Sequence, residues 1–292
     1  MSLSSAQTVN NYLSLVKFSH TIFALPFAVI GYFLAIHFTA NVFDLKLFGL
    51  IILSMIFARS AAMAFNRYID KHIDAANERT AVREIPSGVV KSSSALVFVI
   101  INCILFVATT YFINTICFYL SPVALAVVLG YSFTKRFTAL CHLVLGVGLS
   151  LAPIGAYLAV TGKFNILPIL FSFAVLFWVS GFDIIYALQD EEFDKSIKLK
   201  SIPVVLGKAK ALTFSSLLHI ISALFIIYAG IYVHFGIWYW LGTIVFIGLL
   251  FYQHTLVTPN DLSKVNLAFF TTNGVASIIF STFVLIDMYI NR

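Results

Sequence analysis

The sequence predicts an all-α integral membrane protein, and three observations carry that prediction. The first is composition: of 292 residues 61% are apolar, 16% aromatic and only 10% charged, with a mean hydropathy of +0.99. A soluble domain carries about 25% charged residues, and no single soluble core hides this much apolar surface. The second is run length. Nine apolar runs, roughly 18–38, 47–66, 95–113, 116–133, 141–160, 166–188, 212–233, 237–254 and 267–289, can each cross about 30 Å of hydrocarbon as a helix. The third is the lack of the two-residue alternation that a membrane barrel needs.

The elements follow in order. The first polar residues lead directly into the first run, so no cleavable signal peptide is expected. Only Asn114-Thr115 separates the third and fourth runs, which predicts a tight helical hairpin. Orientation comes from the 18 Lys and Arg. With the N-terminus cytoplasmic, 14 of them fall on that side: Lys17, Arg67, Lys71, Arg79, Arg83, Lys91, Lys135, Arg136, Lys195, Lys198, Lys200, Lys208, Lys210 and Lys264. Lys46, Lys163 and Arg292 fall opposite, and Arg59 lies inside the second run. Excess positive charge marks the cytoplasmic face, so the cytoplasmic (inner) membrane is the expected location, with the C-terminus on its far side. The same placement explains the net charge of +6 without any nucleic-acid partner. Cys103, Cys117 and Cys141 have no CxxC spacing and sit among apolar residues, as packing cysteines do.

Acids are scarce, yet nine of the twelve gather in two stretches at the cytoplasmic ends of the second and sixth runs. The first holds Asp70, Asp74, Glu78 and Glu84; the second holds Asp183, Asp190, Glu191, Glu192 and Asp194. On a continuous helix Asn66, Asp70 and Asp74 fan over about 80° of one face. Asp183, Asp190 and Asp194 would fall within about 40°. Carboxylates so aligned repel one another unless a cation lies between them. An all-oxygen set of Asn66, Asp70, Asp74, Asp183, Asp190 and Asp194 suits a hard divalent ion such as Mg²⁺. Ordinary salt bridges to nearby lysines are the plainer reading for Glu78, Glu84, Glu191 and Glu192. Lys71, Arg79, Arg83, Lys135, Arg136 and Lys195 flank the acids, and carboxylates mixed with cations suit a metal-bridged diphosphate. Of these bases Arg83, Lys135 and Arg136 are the strongest candidates for phosphate oxygens.

Asp70 and Asp190 are 120 residues apart, as are Asp74 and Asp194, and each stretch is followed by Ile-Pro, at 85–86 and 202–203. This predicts a weak internal duplication within a single transmembrane domain spanning 1–292, with two helix–loop units facing a central cavity.

These motifs resemble the UbiA superfamily of membrane-embedded aromatic prenyltransferases, almost from end to end. Asn66, Asp70 and Asp74 match its Asn-x3-Asp-x3-Asp motif, and Asp183, Tyr186, Ala187, Asp190 and Asp194 match the second. Tyr131, Lys135 and Arg136 match a Tyr-x3-Lys-Arg segment, and Arg83, Pro86 and Gly88 an Arg-x-x-Pro-x-Gly. Arg67 departs from the pattern, since many members carry Asp directly after the motif's Asn. The resemblance implies about nine helices around a central cavity that opens laterally to lipid. It also implies transfer of a polyprenyl group from a polyprenyl diphosphate to an aromatic acid of the 4-hydroxybenzoate kind, in ubiquinone or menaquinone synthesis. A naphthoate-type acceptor is the alternative.

The resemblance further implies one Mg²⁺ held by Asn66, Asp70 and Asp74 and a second by Asp190 and Asp194, with Asp183 in support. Arg83, Lys135, Arg136 and Lys195 would neutralise the remaining diphosphate oxygens. Tyr186 is a candidate to stabilise an allylic cation, or else a packing residue. His20 is a candidate to touch the acceptor, with a structural role as the plainer reading. A divalent-cation transporter would want its acids near the bilayer midplane. A CDP-alcohol phosphotransferase would want them compressed into one motif. Neither pattern is present.

Overall fold

The computed structural model describes residues 5–17, 21 and 23–291, without the side chains of 5–9. His20, part of the Lys17–Thr21 stretch and Arg292 lie outside the described residues or at their edge. In chain order the α-helices are α1 (Ser5–Leu15), α2 (Leu25–His37), α3 (Leu45–Ile69), α4 (Lys71–Ala76), α5 (Ser92–Ile113) and α6 (Thr115–Thr134). There follow α7 (Cys141–Thr161), α8 (Ile166–Ala187), α9 (Glu191–Ser196), α10 (Ile202–Tyr232), α11 (Ile237–Leu256) and α12 (Asn273–Ile290). A 3₁₀ turn, Leu188–Asp190, links α8 to α9, and a π-helical segment, Leu267–Thr272, leads into α12.

Among the described residues eight helical stretches are long and apolar enough to cross a membrane, and the protein is an integral membrane protein. The first expected span instead holds the 13-residue α2. At 1.5 Å per residue α2 reaches about 20 Å, short of the hydrocarbon thickness. The α5–α6 hairpin is as tight as expected, turning on Asn114, whose side-chain oxygen accepts from the Cys117 amide at 2.9 Å.

The chain forms two compact units, one of residues 1–21 and 50–133 and one of residues 22–49 and 134–292. In the first, Leu15 and Val16 pack with Ala64 of α3 and with Val90, Ala95 and Val99 around the start of α5. Phe65 of α3 meets Phe133 of α6 edge-on at 5.7 Å.

In the second unit α8 is the buried centre, packed between α7 and α10, while α2 lies on α7 and α12. Small residues permit the closest approaches. A Cβ at Gly31 of α2 would overlap the Pro153 backbone carbonyl of α7, and one at Gly146 of α7 would overlap the Leu176 carbonyl of α8. A 31-residue α10 bends at Gly207, whose φ of 76° and ψ of 160° a side chain would resist.

At the far end of this unit α12 caps α11. Asp287 is 1% exposed, and its carboxylate accepts from the Gly236 amide at 2.8 Å and the Tyr239 amide at 3.2 Å. Helix α11 begins with no side-chain cap of its own, so Asp287 supplies the acceptor its first turn lacks. Asp287→Ala orphans two buried donors and should cost about 2–4 kcal/mol. The expected result is a lower melting temperature in detergent for Asp287→Ala, and a smaller loss for Asp287→Asn. An unchanged melting temperature for Asp287→Ala would remove this capping role.

Candidate active site

The two acidic motifs share one local architecture. Helix α3 stops at Ile69, Asp70 takes φ −92° and ψ 8°, and the six-residue α4 follows. After the 3₁₀ turn beyond α8, Asp190 takes φ −102° and ψ 2°, and the six-residue α9 follows. Both aspartates sit in the sparsely allowed bridge region, where many active-site residues are found. Asp74 and Asp194 each occupy the fourth position of the short helix, and they are 4% and 1% exposed. The offset of 120 residues read from the sequence therefore holds for the backbone too.

The break at the middle aspartate corrects the single-stripe geometry expected for each motif. That expectation assumed one continuous helix from Asn66 to Asp74 and another from Asp183 to Asp194. The rotation at Asp70 and Asp190 ends the 100° register, so the outer aspartate turns inward on its own short helix. Among the described residues no three His, Cys, Asp or Glu side chains converge as a metal-binding group. The acids are paired with cations and amides instead.

In the first motif Asn66 Nδ2 donates to Asp70 Oδ2 at 3.1 Å. Arg83 Nη1 donates to Asp74 Oδ1 at 2.6 Å, and Arg67 Nη1 stands 3.9 Å from Asp74 Oδ2. Successive turns from Asn77 to Val90 carry Arg83 back to Asp74. They are anchored where the buried Thr80 hydroxyl donates to the Asp74 carbonyl at 3.0 Å and the Val90 amide to the Glu84 carbonyl at 2.8 Å. Ser14 of α1 donates to the Glu84 carboxylate. Lys71 is turned to Ser92, at 3.2 Å, and to the face of Tyr68.

In the second motif Lys135 Nζ lies 2.6 Å from Asp194 Oδ2. The loop holding Lys135 is fixed to the chain after α9, because the Lys200 amide donates to the Lys135 carbonyl at 2.8 Å. Asp183 Oδ2 lies 2.6 Å from His142 Nδ1, whose Nε2 faces the Ile202 amide at 3.4 Å. Glu191 and Glu192 approach Lys208 at 4.0 and 3.8 Å, the plainer reading the sequence favoured for them. Arg136 is half-buried, and Lys195 is exposed.

Two participants escaped the sequence. His142 carries no local motif and reaches Asp183, 41 positions further along the chain. Arg59, inside α3, has a buried Nε with no hydrogen-bond partner, while its Nη2 points to the Lys17 carbonyl at 3.5 Å. Its signal was legible: a lone arginine in an apolar span is costly and marks a functional position.

Below Asp190 the second unit is aromatic. Trp178, Phe182 and Tyr186 recur every four residues along α8. Tyr186 lies 4.2 Å from Phe269 between ring centroids, Phe182 lies 5.4 Å from Phe269, and Phe23 lies 5.3 Å from Phe182. Tyr186 is thus packed against an aromatic neighbour and half-buried, on a wall that would favour a cationic guest.

The donor set was tested against a divalent cation. Asp74 Oδ2 is buried with no hydrogen-bond partner, a state that costs free energy unless a cation completes it. The carboxylates of both motifs present only oxygen, the chemistry that suits Mg²⁺. The residues fit the ion.

Residues 24–275 match the UbiA prenyltransferase family. A 4-hydroxybenzoate octaprenyltransferase of Tolumonas auensis is 29% identical over 76% of this chain and 78% of its own length. One of Nitrosomonas eutropha is 31% identical over 82% of this chain and 83% of its own length. Among solved structures, the apo structure of a UbiA homolog from Aeropyrum pernix K1 superposes with a TM-score of 0.83 at 31% identity, covering 92% of this chain and 98% of that one. A UbiA homolog from Archaeoglobus fulgidus bound to GPP and Mg²⁺ shares the fold with a TM-score of 0.73 at 23% identity, over 96% of this chain and 99% of that one.

Proposed function

Because the chain belongs to the UbiA prenyltransferase family, we propose that it transfers a polyprenyl group from a polyprenyl diphosphate to an aromatic acid of the 4-hydroxybenzoate kind. The observation that carries this reading is the twin helix break. Each motif holds an aspartate at the break and a buried aspartate four residues on, and each buried aspartate is met by a cation of a flanking loop.

Each motif would hold a divalent cation for the diphosphate. Asn66, Asp70 and Asp74 would hold one Mg²⁺, and Asp190 and Asp194 a second, with Asp183 oriented by His142. When bound, Mg²⁺ neutralises the charge that builds on the leaving diphosphate. Arg83, Lys135 and Arg136 take the oxygens that remain, and guanidinium groups do so two bonds at a time. Lys195, which is exposed, would join them at the diphosphate.

The prenyl C1–O bond breaks with its electron pair going to diphosphate. The aromatic wall of Phe182, Tyr186 and Phe269 shelters the allylic cation and keeps water from quenching it. A ring carbon of the acceptor then forms the new C–C bond, and the ring loses its proton from that carbon to the released diphosphate. Arg59, two turns before Asn66 in α3 and with its buried Nε short of a partner, would take the acceptor's carboxylate, which an apolar span would otherwise exclude. The polyprenyl tail lies in membrane lipid. The distribution of Lys and Arg supports a cytoplasmic N-terminus, with both motifs on the cytoplasmic side. The shared offset of 120 residues supports an internal duplication of the helix–loop unit.

The test is direct. Purified protein with Mg²⁺ and a polyprenyl diphosphate should convert 4-hydroxybenzoate to its prenylated product, read by mass, with release of diphosphate. Product from a dihydroxynaphthoate alone would move the acceptor assignment, and no product from either would overturn the reading. Arg59→Ala is expected to raise KM for the aromatic acid about tenfold and to leave KM for the diphosphate unchanged. An effect on the diphosphate alone would remove Arg59 from the acceptor site.

A further inference from the structure

The two motifs share backbone angles at their middle aspartates but differ in charge at several positions, among them Lys71 against Glu191, and one of these differences is a buried residue. At the 120-residue offset Arg67 corresponds to Ala187. The first motif thus carries a buried guanidinium where the second carries a methyl group. Arg67 is 5% exposed at the end of α3. A cation there favours the helix dipole, but that attraction works equally well from solvent and does not require burial.

What surrounds Arg67 is incomplete. Its Nε is buried without a hydrogen-bond partner, and so is Asp74 Oδ2. The nearest approach between the two groups is 3.9 Å, too long for a hydrogen bond. Asp74 already receives Arg83 at 2.6 Å on its other oxygen. A buried cation and a buried carboxylate oxygen therefore lie side by side, each short of a partner, and such groups are costly until one arrives.

We propose that Arg67 is a diphosphate ligand of the first motif and that its charge holds that motif's affinity for divalent cations below that of the second. The proposal rests on the diphosphate reading given above. A guanidinium beside Asp74 repels an incoming cation and attracts phosphate oxygens, with a planar fork that takes two of them at once. At the second motif Asp194 meets Lys135, and Ala187 and Glu191 stand where the first motif has Arg67 and Lys71, so no guanidinium meets a divalent cation at the equivalent position.

The experiment uses the full chain in detergent and two probes that need no turnover. Inorganic pyrophosphate binding is measured by calorimetry without metal, and Mn²⁺ binding by electron paramagnetic resonance. Wild-type protein should bind pyrophosphate and show two unequal classes of Mn²⁺ site. In R67Q pyrophosphate should bind about tenfold more weakly, and the weaker Mn²⁺ class should tighten about tenfold. R67K keeps the charge but loses the fork, so it should leave Mn²⁺ binding near wild type and still weaken pyrophosphate. It also serves if R67Q fails to fold.

Wild-type affinity of R67Q for both probes would overturn the proposal and leave a bridging water as the partner of Arg67. A change in one probe alone would overturn the half that did not move. If wild-type protein binds no pyrophosphate with or without Mg²⁺, the diphosphate reading falls as well.

Discussion

Replacing Asp70 by Ala, and separately Asp190 by Ala, is expected to lower kcat at least about a thousandfold while the protein still purifies as a folded membrane protein. Each aspartate sits at a helix break with nearly the same backbone angles. Each is half-buried, so truncation removes charge without opening a core cavity. Metal-assisted stabilisation of a leaving diphosphate is worth several kcal/mol, and each 1.4 kcal/mol is a factor of ten in rate. Prenylation by the variants at saturating Mg²⁺, with melting temperature as the control for folding, decides the matter. Full activity in either variant would sink the assignment of that motif.

Loss of Lys135 should produce a different signature. Its ammonium lies 2.6 Å from the buried Asp194 carboxylate, and its side chain is 33% exposed. Lys135→Ala should raise KM for the diphosphate about tenfold or more, with little change in KM for the aromatic acid. It also leaves Asp194 buried without its counter-charge. A fully buried broken pair costs about 3–5 kcal/mol, and the exposure of Lys135 brings the expected loss to about 1–3 kcal/mol. Adding Asp194→Asn should restore the melting temperature by removing the stranded charge, yet leave the enzyme inactive. Arg136→Ala should share the KM effect. Equal effects on both substrates would argue that these bases position the site as a whole rather than bind phosphate.

Much of the molecule was legible in the chain. A polar backbone group costs several kcal/mol in hydrocarbon unless it is bonded internally, so long apolar runs dictate helices. The α5–α6 hairpin at Asn114 followed from run length alone. The acids were legible for the complementary reason, because a chain with so few charges does not cluster carboxylates without a use for them. The 120-residue offset between the two aspartate pairs was legible as spacing alone.

Periodicity misled where the helix stopped. The 100° rotation per residue held through Asn66 and Asp183, and then ended at Asp70 and Asp190, which no propensity marks as a break. Apolar composition measures what a segment tolerates, and the 13-residue α2 occupies only part of its apolar run.

The sequence by itself determined that this is a helical membrane protein with two oxygen-rich motifs and their basic loops. Those properties belong to residue type and spacing, which survive in any conformation. Only the tertiary structure decided which base meets which acid: Arg83 and Arg67 at Asp74, Lys135 at Asp194, the His142 imidazole at Asp183. A charge pair depends on distance and burial, and the turns from Asn77 to Val90 and the packing of α7 on α8 set both. Arg67 shows the division most clearly. In the sequence it is one basic residue beside a motif, and in the fold it is a buried guanidinium still short of a partner.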